Sequence, residues 1–328
     1  MNLMMNDVKE VFNLINNSQN ICIAGHKAPD GDCIGSVMAL YEFLKPFNKS
    51  LTVCIDGIIP YNYKHFIDEQ VLLKEYNNEK YDLLFILDCS DKDRLGKFKT
   101  VFDNAKTTVC IDHHKTNEKY ANINIIDTEI SSTGELLYDV LKCSNKSLSK
   151  KIATNIYIAI LTDTGKFSYS NTSSETHKKT AELIDMGVDV AEIDNIIYNS
   201  KPSNIVKAFI ECISGLELHY NNKFAITCIT KNMLERNNAE MGDIDGVVEF
   251  LREINEVEVS CVLKEYDTKE TKVSLRSKNN IDVSSISVKY GGGGHSKAAG
   301  FEIKETVENT KKILLETFKD YFQEWTVY

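Results

Sequence analysis

The chain has 328 residues, of which 42% are apolar, and a formal net charge of −10. This length predicts about two domains, and the apolar content suffices for hydrophobic cores, which excludes a wholly disordered protein. The acidic balance argues against long nucleic-acid duplexes as partners, because duplex binding depends on a broad basic surface.

The sequence carries no sign of export or of a membrane span. No apolar run reaches the roughly 20 residues of a membrane-spanning helix, and the first residues lack the pattern of a signal peptide. The nine cysteines include no CxxC pair, and several lie in apolar runs, which argues against a disulfide framework or a cysteine zinc site. We therefore expect a cytoplasmic protein with no membrane partner.

The first half of the chain alternates short apolar strands with helical stretches. Strands are predicted at Asn20–Ala24, Leu51–Ile55, Tyr81–Leu87 and Thr107–Ile111. Helices are predicted at Asn6–Asn16, Ile34–Leu44, Gly134–Lys142, Lys150–Leu161, Ser174–Met186 and Val190–Tyr198. This alternation is typical of an α/β domain whose parallel sheet is covered on both faces.

The second half predicts a smaller α+β domain. Helices are predicted at Asn204–Leu216, Asn232–Asn237, Asp245–Arg252 and Val283–Tyr290. Strands are predicted at Lys223–Thr230, Val257–Glu265, Thr271–Ser277 and Phe301–Ile303, and the middle two should pair antiparallel. The stretch around Pro202 is the best linker candidate. We therefore expect a domain at 1–190, a linker at 191–203 and a domain at 204–328, with a substrate cleft between the domains.

Aspartates and histidines follow several of the predicted strands. His26, Asp88 and the Asp112–His114 triplet each come just after or at the end of an apolar strand, and Asp163 comes just after a predicted helix. In an open parallel sheet the carboxyl ends of the strands frame one ligand-binding crevice, so these side chains should converge. Converging carboxylates need a counter-charge. Each cluster alone would fit a turn or a helix cap, but together they predict divalent metal ions.

The motifs resemble a known family. The segment from His26 to Asp32, then Asp88, the Asp112–His114 triplet and Asp163, are similar in order and spacing to the four motifs of the DHH phosphoesterase superfamily. The run Gly291–His295, followed by Ala-Ala-Gly, resembles the signature of the DHH-associated C-terminal domain. The resemblance extends from about residue 20 to about residue 303. It is strongest to the nanoRNase-like subgroup, which comprises bifunctional oligoribonucleases and 3′-phosphoadenosine 5′-phosphate phosphatases.

This resemblance implies two divalent ions, with Mn²⁺ favoured and Mg²⁺ or Co²⁺ as alternatives. One ion would be held by His26, Asp30 and Asp88, and the other by Asp32, Asp88, His113 and Asp163. Asp112 would support the ligands, and His114 would face the scissile phosphate. Two such ions lower the pKa of a bound water toward neutrality, which supplies the hydroxide that attacks phosphorus.

Two further segments predict contacts to a nucleotide. Glycines bring backbone N–H groups close to phosphate, and a planar arginine fork suits phosphate, although a flexible loop and a surface arginine are the plain alternatives. The predicted substrate-binding residues are Arg276, Gly292, Gly293, Gly294 and His295. Separately, Ser132 and Glu135 predict a capping box at a helix start, where a phosphate is the less favoured alternative.

The sequence thus predicts a phosphodiesterase that releases 5′-mononucleotides from short oligoribonucleotides or linear dinucleotides. Activity on 3′-phosphoadenosine 5′-phosphate is a further expectation. Cyclic di-AMP is an alternative substrate, and a non-catalytic nucleotide sensor is an alternative function. A homodimer is compatible with the sequence, whose apolar N-terminal helix could form a contact or cover the sheet.

Overall fold

The computed structural model describes residues 2–244 and 246–323, and the chain divides into two compact units. Unit 1 comprises Met1–Ser200 and unit 2 comprises Lys201–Tyr328. Each unit has its own sheet and its own hydrophobic core.

The interval 191–203, which we expected to be a linker, is helical up to Tyr198. The helix Val190–Tyr198 buries Ile193 and Ile197 in the core of unit 1. The chain therefore passes from one unit to the next after Ser200, close to Pro202.

Unit 1 is an α/β unit, as predicted. Its strands are β1 (Asn20–Ala24), β2 (Ser50–Cys54), β3 (Tyr81–Leu87), β4 (Ala105–Asp112) and β5 (Ile123–Ile126). They form one parallel sheet in the order β2-β1-β3-β4-β5. Its helices are α1 (Asn2–Asn17), α2 (Gly31–Leu44), α3 (Lys99–Asp103), α4 (Thr133–Lys142), α5 (Lys150–Asp163), α6 (Ser174–Asp185) and α7 (Val190–Tyr198).

The sequence did not predict β5 or α3. Strand β5 has only four residues, and just two of them are buried. Helix α3 has five residues and directly follows a 3-10 helical segment that is kinked at Gly96. Both are too short for their periodicity to stand out from the surrounding chain.

Helices α2 and α5 pack closely against each other beneath the sheet edge that carries the polar residues. Almost every residue of α2 is buried. The crossing is tight at Gly35, where an added Cβ would lie 2.4 Å from the backbone oxygen of Asn155. Because α2 begins at Gly31 and α5 ends at Asp163, this packing fixes where the two polar helix ends lie.

Unit 2 is a mixed α+β unit, again as predicted. Its strands are β6 (Glu217–His219), β7 (Phe224–Ile229), β8 (Val259–Asp267), β9 (Glu270–Ser277), β10 (Gly293–His295) and β11 (Ala298–Ile303). Its helices are α8 (Ser203–Ser214), α9 (Lys231–Asn237), α10 (Val247–Arg252), α11 (Val283–Lys289) and α12 (Val307–Gln323). The sheet order is β10-β11-β9-β8-β7-β6, and only β7 and β8 pair parallel among these strands.

The antiparallel pairing of β8 with β9 confirms the prediction for those two strands. Part of the glycine run, which has no strand propensity, is nevertheless the edge strand β10. Strand β6 and helix α12 were not predicted, and Asp245, the predicted start of α10, lies outside the described residues. The core of unit 2 packs one face of the sheet against α11 and α12 through residues such as Leu275, Phe301 and Phe318.

None of the helices that the structure describes is both long enough and apolar enough to span a lipid bilayer.

Candidate metal centre

Three predicted ligands lie at the carboxyl ends of adjacent strands. His26 follows β1, Asp88 follows β3 and His113 follows β4. The parallel order β1-β3-β4 places these three strand ends side by side at one edge of the sheet. The expected convergence of their side chains is therefore present.

The other three predicted ligands come from helix ends. Asp30 is the N-cap of α2, and its carboxylate accepts a hydrogen bond from the backbone N–H of Cys33 at 3.1 Å. Asp32 lies in the first turn of the same helix, and Asp163 is the last residue of α5. The tight packing of α2 on α5 brings these two helix ends to the sheet edge.

These side chains form three overlapping clusters, and within each cluster one ligand atom per residue lies within 4.8 Å of the others. The clusters are His26 with Asp30 and Asp88, Asp32 with His113 and Asp163, and Asp88 with His113 and His114. Asp88 joins two of them through different oxygens: Oδ2 lies 3.4 Å from His26 Nε2, and Oδ1 lies 3.8 Å from His113 Nε2.

The start of α4 holds Asp32 in place. The carboxylate of Asp32 accepts hydrogen bonds from the backbone N–H groups of Thr133 at 2.7 Å and Gly134 at 2.9 Å. The hydroxyl of Ser36 donates a third bond at 3.0 Å. A helix N-terminus stabilises negative charge, so this buried aspartate is oriented by donors that would otherwise serve an anionic ligand.

Thr133 also orients the aspartate shared by two clusters. Its hydroxyl donates to Asp88 Oδ1 at 2.9 Å, and both side chains are buried. Asp88 has a φ of 57°, in the left-handed region that non-glycine residues rarely occupy. Such backbone strain is concentrated at functional sites, where the surrounding structure enforces it.

The charges of the cluster are unbalanced. Burial, and then the charges of Asp88 and Asp163, raise the pKa of Asp32 well above its usual range. Burial and neighbouring carboxylates raise the pKa of Asp163 in the same way. Burial alone would lower the pKa of His26, but Asp30 and Asp88 outweigh it and raise this pKa to about 10. The carboxylates therefore have too little positive charge around them, and the raised pKa of His26 favours a protonated ring that supplies part of it.

The side chains present fit divalent metal ions. Carboxylate oxygens and imidazole nitrogens are the donors that Mn²⁺ and similar ions take, and bound ions would supply the missing positive charge. The buried carboxylates are moreover already oriented by Ser36, Thr133 and Gly134, as metal ligands are by their outer partners.

Asp112 fixes the orientation of His114. Its Oδ1 accepts from His114 Nδ1 at 2.7 Å and from the backbone N–H of His113 at 2.9 Å. Its Oδ2 accepts from the side-chain amide of Asn117 at 2.6 Å. Burial would lower the pKa of His114, but the bond to Asp112 and the charge of Asp88 raise it.

The sequence did not point to Thr133, Gly134 or Asn171 as parts of this site. The side-chain amide of Asn171 donates to the backbone oxygens of Ser131 at 2.9 Å and Asp163 at 3.1 Å, which ties the start of α4 to the end of α5. A helix-start pattern was visible at Ser131–Glu135, but nothing in it indicated that its N–H groups face Asp32.

The predicted capping box is half correct. Ser132 caps α4 by accepting from the backbone N–H of Glu135 at 3.0 Å. The carboxylate of Glu135, however, accepts from the backbone N–H and hydroxyl of Ser131 rather than from Ser132, and it pairs with Lys179 at 3.0 Å. The phosphate considered for this helix start is replaced by Asp32, which takes up two of its N–H groups.

The predicted substrate-binding residues lie together in unit 2. Arg276 on β9 pairs in register with Ala298 on β11, which pairs in turn with His295 on β10. Gly293 and Gly294 belong to the same edge strand, and Gly292 directly precedes it. An added Cβ at Gly292 would lie 2.3 Å from the oxygen of Gly300, so the backbone approaches closely there.

Comparisons with known proteins agree with this arrangement. A model of the DHH family, N-terminal domain, matches residues 20–160, and a model of the DHHA1 domain matches residues 221–324. The chain is similar to the bifunctional oligoribonuclease and PAP phosphatase NrnA of Thermus thermophilus. The two are 29% identical over 289 residues, which cover 87% of this chain and 84% of that protein.

Two further proteins are informative. The crystal structure of an exopolyphosphatase-related protein from Bacteroides fragilis has a TM-score of 0.88 and 28% identity, covering 97% of this chain and 98% of that one. The cyclic-di-AMP phosphodiesterase GdpP of Bacillus subtilis is 26% identical over 331 residues, covering 93% of this chain but 49% of GdpP.

Proposed function

Because the chain belongs to the DHH family of phosphoester-hydrolysing enzymes and carries the DHHA1 domain, we propose that it hydrolyses short oligoribonucleotides or linear dinucleotides to 5′-mononucleotides. The observation that carries this proposal is the set of Asp and His clusters that share Asp88. The similarity to NrnA supports the choice of substrate and adds phosphatase activity on 3′-phosphoadenosine 5′-phosphate.

Two divalent ions, with Mn²⁺ as the favoured metal, are proposed as the cofactor. His26, Asp30 and Asp88 would hold one, and Asp32, Asp88, His113 and Asp163 would hold the other. When bound, such ions would supply positive charge for the phosphate oxygens and would lower the pKa of water so that it loses a proton and supplies the hydroxide nucleophile. The two oxygens of Asp88 face different histidines, which supports its role as the shared ligand.

His114 is proposed to donate a proton or hydrogen bond to the substrate. The bond between Nδ1 and Asp112 fixes the direction of the ring, so that Nε2 is the nitrogen left for the scissile phosphate or the leaving oxygen. The raised pKa of His114 favours the protonated ring that such a donor needs. Asp112 is thus a positioning residue, whereas His114 is the proposed catalytic residue.

Unit 2 is proposed to bind one end of the nucleotide. Arg276 supplies a planar cation for a phosphate. At Gly293 an added Cβ would meet nothing within 4 Å, so the edge strand leaves room for a ligand there. His295 lies on the same face of the sheet as Arg276, because both pair in register with Ala298.

A product assay tests the proposal. Purified protein with Mn²⁺ is given a linear diribonucleotide, cyclic di-AMP and 3′-phosphoadenosine 5′-phosphate in parallel. Rapid release of mononucleotide from the linear substrate, lost in Asp88→Asn and retained in Asp185→Asn, is the expected result. Asp185 is an exposed residue at the end of α6 and serves as the matched control.

Cyclic di-AMP is the second candidate substrate, because the similarity to GdpP extends over 93% of this chain. A preference for the cyclic compound in the same assay would replace the linear substrate in the proposal. Nucleotide binding without turnover of any of the three compounds would overturn it and favour a sensor.

A further inference from the structure

One face of the sheet in unit 2 carries, at β10 and β11, a strip of small residues beside two potential phosphate ligands. Residues paired directly across strands project from the same face of a sheet. His295, Ala298 and Arg276 form one such row, and Gly293, Gly300 and Ser274 form the next. The opposite face carries Leu275, Ala299 and Phe301 into the core. The strip is therefore shallow and flanked by the arginine and the histidine.

The guanidinium of Arg276 is held in a fixed direction by two contacts. Its Nε donates to Glu249 Oε1 on α10 at 2.9 Å, and its Nη1 donates to the backbone oxygen of Leu275 at 3.0 Å. A guanidinium is planar and has five N–H groups, so these two contacts set its plane. Among the residues that the structure describes, no hydrogen bond is made by Nη2, so the outer edge formed by Nη2 and the second N–H of Nη1 remains for a ligand.

Glu249 makes this contact in an arrangement that stability alone does not explain. Its Oε2 is buried and has no hydrogen-bond partner among the residues that the structure describes. An unpaired buried carboxylate oxygen is costly, so each such group calls for an explanation. A second Glu–Arg pair in the same unit differs in this respect, because Glu211 contacts Arg236 through Oε1 and Asn237 through Oε2.

We propose that Glu249 is a positioning residue, which holds the guanidinium of Arg276 so that its outer edge receives the terminal phosphate of the nucleotide substrate. This inference rests on the proposed function. The guanidinium would bridge two anions, with the carboxylate at Nε and the phosphate at the Nη edge, which matches the bidentate geometry of arginine.

An alternative role for Glu249 predicts a change in KM of the opposite sign. If Glu249 only neutralised Arg276 or competed with the phosphate for it, removing the carboxylate charge would strengthen phosphate binding and lower KM. If Glu249 positions Arg276, the guanidinium gains freedom in the variant and KM rises. The direction of the change in KM therefore decides between the two.

Steady-state kinetics of E249Q, E249A and the matched control E211Q tests the proposal. Each is assayed on two linear diribonucleotides, one with and one without a 5′-phosphate. For the phosphorylated substrate we expect KM to rise about threefold in E249Q and about tenfold in E249A, the value of one charge-assisted hydrogen bond. The kcat should stay within about twofold. KM for the other substrate, and both constants of E211Q, should not change.

A double-mutant cycle shows whether Glu249 acts through Arg276. E249A should add nothing to the effect of R276A, because the side chain that it positions is then absent. A lowered or unchanged KM in E249Q, an equal rise for both substrates, or additive effects with R276A would each overturn the inference. If the wild-type protein cleaved neither dinucleotide, the proposed function would fail as well. If the wild-type protein cleaved them and the Glu249 variants had the same KM as wild type, the positioning role alone would be refuted.

Discussion

Replacing Asp163 with asparagine should stabilise the metal-free protein. A carboxylate oxygen of Asp163 lies within 4.8 Å of one from Asp32. When both carboxyls are ionised, two unit charges at that separation repel by about 3.5 kcal/mol at an effective dielectric of 20. The side chain of Asp163 is 31% exposed, and solvent screening reduces the expected gain to about 2 kcal/mol. In a unit of this size that gain raises Tm by about 4–8 °C.

Bound metal should reverse the order of the Tm values of wild type and Asp163→Asn. Wild-type protein gains about 2.7 kcal/mol when the free metal is at 100 times its Kd, whereas Asp163→Asn, if loss of a ligand raises its Kd about 100-fold, gains only about 0.4 kcal/mol. Thermal unfolding in EDTA and in Mn²⁺, with Asp185→Asn as the control, measures both effects. A lower Tm for Asp163→Asn than for wild type in EDTA would refute the electrostatic reasoning, and a higher Tm for Asp163→Asn in saturating Mn²⁺ would refute the ligand role of Asp163.

The pH dependence of this difference has a definite sign. The pKa of Asp163 is raised in the folded protein, so its ionised form costs stability above that pKa and costs none below the unfolded pKa of about 3.9. The advantage of Asp163→Asn over wild type in EDTA should therefore be largest at pH 8 and shrink as the pH falls toward 4.

Three further outcomes are expected. Thr133→Val, which removes the hydroxyl bonded to Asp88, should weaken metal binding about 10- to 100-fold in calorimetric titrations, and Thr133→Ser should not; equal affinities would contradict this role. Gly35→Ala should cost about 1–3 kcal/mol of unfolding free energy because its Cβ meets the backbone of α5, whereas Gly242→Ala, with nothing within 4 Å, should cost little in the same denaturant titration. Apparent metal affinity should rise from pH 6 to pH 8, because His26, whose pKa is about 10 without metal, must lose its proton. Calorimetry in two buffers measures proton release on metal binding, and finding none would contradict this expectation.

The sequence is most informative where burial is uniform. Strands β1 and β3 begin and end where the apolar runs predict, because both lie in the interior of a parallel sheet with neighbours on each side. The convergence of His26, Asp88 and His113 follows from the same parallel order, since ligands placed after adjacent strands must meet at one edge.

The supporting contacts were not readable from the sequence. Asp32 and Thr133 are 101 residues apart, and their hydrogen bond depends on how α2 and α4 pack, which no local pattern encodes. The same holds for Glu249 and Arg276, which are 27 residues apart on a helix and a strand. The glycine run forms the edge strand β10 because pairing with β11 outweighs its weak strand propensity.

The hydrogen bonds from the start of α4 to Asp32 have a consequence for chemical rescue. The N-terminus of α4 is an anion hole that the protein fills with a side chain of its own. Truncation of that side chain in Asp32→Ala would leave the N–H groups of Thr133 and Gly134 facing a carboxylate-sized space. Formate or acetate added from solution could then occupy it as an external replacement for the missing ligand. The small anion would restore the geometry of the site without a covalent link to α2.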